Sequence, residues 1–207
     1  MSTGAAYVGP EQPSSFAFTA ENEDKAKAII AKYPPGRQAS AVLPLLDLAQ
    51  RQGGGWLSVP AMDKVAAMLG LAPIRVYEVA SFYEMFNTKP VGKHMVRVCT
   101  TTPCWLRGSD AILSACEQKL GVGVGETTAD GQFTLKEFEC LGACVNAPVL
   151  WVDDDYYEDL DGPKTEALIE AIRRGEQPKP GPQIDRQTSA PIGGPTTLKS
   201  IKTNGQK

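Results

Sequence analysis

The sequence predicts an α+β fold: an N-terminal helical bundle, then an α/β domain, then an extended C-terminal tail. Three observations predict it. Between residues 21 and 90 apolar side chains recur at helical spacing, interrupted by short turns containing Gly and Pro. After Pro90-Val91-Gly92, runs of period two are interleaved with helical runs, the mixture expected of one domain built from a sheet and helices. From Glu176 onward Pro and Gly are frequent and apolar periodicity vanishes. The expected division is a flexible N-terminal arm over 1–20, a helical domain over 21–90, an α/β domain over 91–175 and an extended or disordered tail over 176–207.

Each element has its own justification. Glu21 to Lys32 is a charged helix with Ala28, Ile29 and Ile30 as anchors, closed by the turn Tyr33-Pro34-Pro35-Gly36. Gln38 to Gln52 carries Val42, Leu43, Leu45, Leu46, Leu48 and Ala49, a broad apolar stripe. Pro44 sits near its first turn, where a missing N–H does least damage, and a small kink is the alternative. Ser58 is an N-cap with Pro60 in the first turn; the helix bears Met62, Val65, Ala66 and Leu69 and stops at Gly70. Pro73 opens a further helix through Val76, Val79, Ala80, Tyr83 and Phe86.

His94 to Thr100 alternates as a strand, with Val96 and Val98 on one face and Met95, Arg97 and Cys99 on the other. Ser109 to Leu120 is a helix with Ile112, Leu113, Cys116 and Leu120 inward. A strand over Val122 to Thr128, the turn Asp130-Gly131 and a strand from Phe133 to Phe138 form a hairpin. Pro148 to Val152 is a short apolar strand leading into the acidic turn Asp153 to Asp155. The last helix opens at Gly162-Pro163, carries Leu168, Ile169 and Ile172, and ends at Arg173-Arg174-Gly175.

Composition excludes several functions. The 207 residues include 21 basic and 24 acidic side chains, a net charge of −3, which is not the basic field of a nucleic-acid binder. No apolar run approaches the ~18 residues of a membrane span. The N-terminal residues lack the patterns of a secretory or transit peptide, so a cytoplasmic protein is expected. There is one histidine, His94, which excludes three-His zinc sites and the two-His-one-carboxylate iron site. No glycine-rich phosphate loop is present, so no nucleotide or flavin site is expected on this chain.

Five cysteines carry the remaining information: Cys99, Cys104, Cys116, Cys140 and Cys144. Their odd number and a reducing cytoplasm argue against a disulfide framework. Four of them form two pairs, Cys99 with Cys104 as C-x4-C and Cys140 with Cys144 as C-x3-C, separated by 35 residues (105–139). Each pair follows a predicted strand, so two loops at one end of a sheet can gather four thiolates. Such a set suits zinc or an iron–sulfur cluster, and unligated cysteines are the third alternative. Zinc knuckles favour C-x2-C, whereas longer loops suit a [2Fe–2S] rhomb in which each iron takes two thiolates. Gly142, Ala143 and Gly108 allow close backbone approach, and backbone N–H groups with Arg107 are suited to the negative charge of such a centre. Cys116 reads as a packed core residue, His94 as a strand-edge residue and Asp153 to Asp155 as a solvated turn.

The segments Cys99-Thr-Thr-Thr-Pro-Cys104-Trp-Leu-Arg-Gly and Glu139-Cys140-Leu-Gly-Ala-Cys144-Val-Asn-Ala-Pro resemble the thioredoxin-like [2Fe–2S] subunits of respiratory NADH:quinone oxidoreductase, complex I. So do Lys32-Tyr33-Pro34-Pro35-Gly36-Arg37, Val76 to Tyr83, Gly125 to Gly131, Tyr156 to Leu160 and Ser189 to Gly194. The resemblance implies a thioredoxin-like α/β domain whose [2Fe–2S] cluster is held by Cys99, Cys104, Cys140 and Cys144. It implies one-electron exchange with FMN on a larger flavoprotein subunit that also binds NADH, so that the isolated chain would not oxidise NADH. It further implies association with other peripheral-arm subunits on the inner face of a bacterial plasma membrane, without membrane insertion. The equivalent subunits of NAD-linked hydrogenases and formate dehydrogenases share both motifs. A zinc-stabilised interaction module is the alternative from another class.

Overall fold

The computed structural model describes residues 11–194 and 196–197. The expectations for the start of the arm, residues 1–10, and for tail residues 195 and 198–207 lie outside the described residues. The chain divides into two compact units between Lys93 and His94.

The described residues of the first unit form four α-helices: α1 (Ala20–Ile30), α2 (Val42–Gln52), α3 (Val59–Leu69) and α4 (Pro73–Phe82). Thr19 caps α1 by accepting from the Asn22 N–H, and Ser58 caps α3 by accepting from Ala61. Their inward faces, among them Ala26, Leu45, Leu46, Ala49, Val65, Val76 and Ala80, form one core. Burial of each Leu or Val there contributes ~1.5–3 kcal/mol. The expected helix from Gln38 is in fact a 3-10 turn, Gln38–Ala41, followed by α2, which places Pro44 at its third residue. In the last expected helix the backbone leaves helical geometry at Tyr83, so Phe86 joins the core from the following loop.

The structure also corrects the reading of the N-terminal arm. Phe16 and Phe18 pack edge to face at 5.2 Å and join the same core. The Gln52 amide donates to Ala17 O at 2.8 Å, and the Thr19 N–H donates back to Gln52 Oε1 at 3.0 Å. Two aromatic anchors among Ser, Pro and Gly residues suffice to seat this stretch, although they give it no periodicity.

The second unit contains β1 (His94–Cys99), α5 (Thr102–Leu106), α6 (Ser109–Leu120), β2 (Phe133–Phe138), β3 (Leu150–Val152), β4 (Asp155–Glu158), α7 (Gly162–Arg173) and β5 (Gly181–Pro182). The sheet order is β2-β1-β3-β4-β5. β1 runs parallel to β2, with His94 opposite Phe133 and Cys99 opposite Phe138, and antiparallel to β3. β3 pairs with β4 antiparallel, and β4 with β5 parallel. One sheet face, with Val96, Val98, Phe133, Leu135, Leu150 and Val152, packs on Ile112, Cys116, Leu168, Ile169 and Ile172 of α6 and α7. The other face bears Arg97, whose guanidinium lies 4.1 Å from the centre of the Trp151 ring.

The structure departs from or adds to the expected elements at three places. Val122 to Thr128 forms no regular strand: Thr127 makes an isolated bridge to Thr134, and Gly125, Glu126 and Thr128 make single backbone hydrogen bonds to Leu135 and Phe133, because Gly121, Gly123 and Gly125 weaken any continuous ladder. β4 was hidden by the acidic turn before it. The described part of the tail, to Gly194, is extended and seated on this unit: β5 adds to the sheet edge, and Arg186 forms an ion pair with Asp159 at 2.9 Å. Its anchors are polar, so a search for apolar periodicity misses them.

Candidate metal centre

The two cysteine pairs occupy equivalent places. β1 ends at Cys99, and Thr101 leads the chain into α5, with Pro103 in its first turn and Cys104 as its third residue. The first pair therefore bridges a strand end and a short helix, where a simple loop was expected. β2 ends at Phe138; after it Cys140 begins a tight turn, and Cys144 opens a 3-10 turn, Cys144–Asn146. Because β1 and β2 run parallel and Cys99 stands opposite Phe138, both turns leave the same end of the sheet.

The sulfurs are closely set. Cys140 Sγ lies 3.7 Å from Cys144 Sγ, and the Gly142 N–H donates to Cys140 Sγ at 3.4 Å. Gly142 has φ of 78°, a left-handed conformation that explains the glycine. A Cβ there would meet nothing within 4 Å, so the requirement is conformational and not one of crowding. Thr101 Oγ1 is 3.4 Å from Cys99 Sγ. Cys99 and Cys104 are buried with Leu141, Ala147 and Val149 against Phe138, Ala143, Trp151 and Tyr156, whereas Cys140 and Cys144 are exposed.

Electrostatics tie the four groups together. Burial acts to raise the Cys99 thiol, but hydrogen bonds from Thr101, the Leu141 backbone and Cys104 outweigh it and its pKa falls. Burial, then the shared hydrogen bond and charge of Cys99, push Cys104 up to about 12, with Cys144 adding to the effect. Cys144 is raised by its hydrogen bond with Cys140, by desolvation and by the negative charge of Cys140 and Cys99. Crowded thiolates resist ionising together unless cations sit between them.

The remaining polar residues stand elsewhere. Cys116 is fully buried in α6, and burial, with Glu117, pushes its thiol up to about 12. His94 begins β1, about 16 Å along the strand from Cys99 at the usual rise, and its Nδ1 lies 2.7 Å from Asp153 Oδ2. Asp153 also accepts from the Met95 N–H at 2.9 Å, so it serves the strand end. Arg107 is exposed in a cleft shared with Pro148, Asp159 and Ile192. Among the described residues, no group of three or more His, Cys, Asp or Glu side chains is placed to hold one ion.

The family model of thioredoxin-like [2Fe–2S] ferredoxins matches residues 26–173, a span that includes the helical unit and all four paired cysteines. The chain belongs to this family. A Rickettsia conorii protein named as a subunit of NADH-quinone oxidoreductase is 60% identical to this ferredoxin-family chain over 160 residues, 77% of this chain and 96% of its own. The mitochondrial NADH dehydrogenase [ubiquinone] flavoprotein 2 of Dictyostelium discoideum is 55% identical over 183 residues, 88% of this chain and 74% of its own. Among solved structures, an NAD+-reducing [NiFe]-hydrogenase aligns with a TM-score of 0.55 at 24% identity. That alignment covers 63% of this chain and 23% of the hydrogenase chain, so it speaks to fold alone.

The cofactor of a thioredoxin-like [2Fe–2S] ferredoxin is a [2Fe–2S] cluster, and this donor set fits it. Two thiolates about 2.3 Å from one ion at the tetrahedral angle stand about 3.8 Å apart, and Cys140 and Cys144 have that span. N–H groups aimed at sulfur, and apolar packing behind it, are further marks of such a site.

Sequence reading missed one set of residues around this ferredoxin centre. Asn146, Asp159 and Arg186 meet behind the second cysteine turn, joined by hydrogen bonds between partners 13 and 27 residues apart. No motif in the sequence announces them.

Proposed function

We propose that this chain is the one-electron carrier subunit of an NADH:quinone oxidoreductase, with Cys99 and Cys104 holding one iron of the cluster and Cys140 and Cys144 the other. The observation that carries the proposal is the placing of two cysteine pairs at one end of the sheet, in a chain 60% identical to a protein named as an NADH-quinone oxidoreductase subunit. When bound, the cluster accepts and donates a single electron. The chain's own residues do the rest. Four thiolates supply the ligands, and the Gly142 N–H supports the sulfur of Cys140. Phe138, Trp151 and Tyr156 keep water from the inner side. Trp105, Leu106 and Val145, exposed at 56%, 71% and 67%, give the outer side an apolar rim. Close approach of a redox partner across such a rim shortens the electron's path.

The partner proposed is the larger flavoprotein subunit, which binds NADH and FMN, within a peripheral arm of several subunits on the inner face of the plasma membrane. The names of the bacterial relatives support this. No helix among the described residues is long and apolar enough to cross a membrane. The test is to isolate the tagged chain with its partners from the native membranes. A flavin-containing assembly in which NADH reduces a [2Fe–2S] EPR signal is expected, with no NADH oxidation by the isolated chain. NADH oxidation by the isolated chain, or an assembly without flavin, would overturn the proposal.

A further inference from the structure

Behind the second cysteine turn lies a polar network that cluster ligation does not use. Asn146, two residues past Cys144, is 1% exposed. Its Nδ2 donates to Asp159 Oδ2 at 3.2 Å and to Thr188 O at 2.9 Å, and its carbonyl accepts from the Asp159 N–H at 2.7 Å. Arg186 Nη1 donates to Asp159 Oδ1 at 2.9 Å, to Oδ2 at 3.3 Å and to Val145 O at 3.2 Å. Arg186 Nε donates to Ala190 O at 2.6 Å. The Arg186 and Asp159 side chains are only 6% and 5% exposed.

The network joins three separate stretches: the cysteine turn (Val145, Asn146), the residue after β4 (Asp159) and the tail (Arg186, Thr188, Ala190). The turn needs such support. Cys140 and Cys144 are exposed and Val145 points outward, so apolar packing alone does not fix them. A guanidinium with several acceptors in its plane fixes position as well as charge, which a point charge cannot do.

We propose that Arg186 is a positioning residue for the metal centre. Paired with Asp159, it clamps the tail against the Cys144–Asn146 turn and holds the Cys140 and Cys144 thiolates at the span one iron requires. The proposal rests on the four-cysteine reading. It assigns to the tail a task inside this chain, the retention of the cluster.

The test uses the full chain, purified anaerobically with its cluster, as parent, Arg186→Gln, Asp159→Asn and the double variant. Iron release to excess chelator, EPR of the reduced protein and far-UV circular dichroism are measured on each. Arg186→Gln is expected to release iron roughly 10–100-fold faster, the usual effect of losing an outer support of a metal ligand. Its EPR g values should shift while its circular dichroism stays that of the parent. The double variant should release iron no faster than the faster single, since the two groups act as a unit. Iron release within twofold of the parent and superimposable EPR would overturn the proposal. If Arg186→Gln does not accumulate, Arg186→Lys is read by the same criteria, because lysine keeps the charge but cannot serve Asp159, Val145 and Ala190 together. A parent lacking two irons and two sulfides would instead refute the four-cysteine reading, and the iron and sulfide assay on the parent separates the two failures.

Discussion

Replacing Cys116 by serine separates a cysteine that fills space from those proposed to hold metal. Cys116 lies on the inner face of α6 between Ile112 and Leu120, with no exposed surface. A hydroxyl in that core without a partner costs about 1–3 kcal/mol. Bonding to the Ile112 carbonyl one turn back would bring the cost towards the lower end. At ~2–4 °C per kcal/mol for a chain of this size, the unfolding midpoint should fall by about 2–12 °C. Cys116→Ala removes the thiol without adding a hydroxyl, so the difference between the two variants isolates the polar cost. Iron and acid-labile sulfide should remain at the parent's level in both. Cys104→Ser removes one proposed ligand and should lose the four-thiolate cluster. The assays are iron and sulfide quantification with thermal unfolding followed by circular dichroism. Iron loss in Cys116→Ser as complete as in Cys104→Ser would refute the reasoning, since it would make Cys116 a ligand.

Three further outcomes follow from the geometry. Ser58→Ala removes the α3 cap, whose side chain accepts from Ala61, and should cost about 1 kcal/mol in a denaturant titration. Gly70→Ala forces a side chain into φ of 63° with open space around it, so only the conformational cost of about 1–2 kcal/mol is expected. Above pH 9 the unfolded chain gives up the Cys116 proton while the folded chain keeps it up to about pH 12. Stability is therefore fully present below pH 9 and falls as pH rises, by about 1.4 kcal/mol per unit across that window. Cys116→Val should flatten that slope in unfolding curves at pH 9, 10 and 11.

Much of this molecule is legible in its residues, for local physical reasons. The cap at Ser58, the stop at Gly70, the period-two face of β1 and the helix from Ser109 to Leu120 depend on near neighbours, and the structure has each where expected. The pairing of cysteines on adjacent strand ends was legible because both motifs follow apolar strand patterns. What was hidden depends on distant partners. α5 is too short to show a period, and β4 begins inside an acidic turn. The seating of Phe16 and Phe18, and the Arg186–Asp159 pair, rest on contacts across the fold that no spacing encodes. The Gly-rich stretch before Phe133 had strand-forming valines and threonines, yet it meets β2 through a bridge at Thr127 and a few single backbone hydrogen bonds without forming a regular strand.

Iron, sulfide and zinc measured on anaerobically purified chain, with EPR after reduction, put the four-sulfur centre to its most direct trial. Two irons and two labile sulfides per chain, with a rhombic one-electron signal that Cys99, Cys104, Cys140 and Cys144 are each needed to retain, are expected. One zinc per chain, or a colourless protein with no metal, would contradict it.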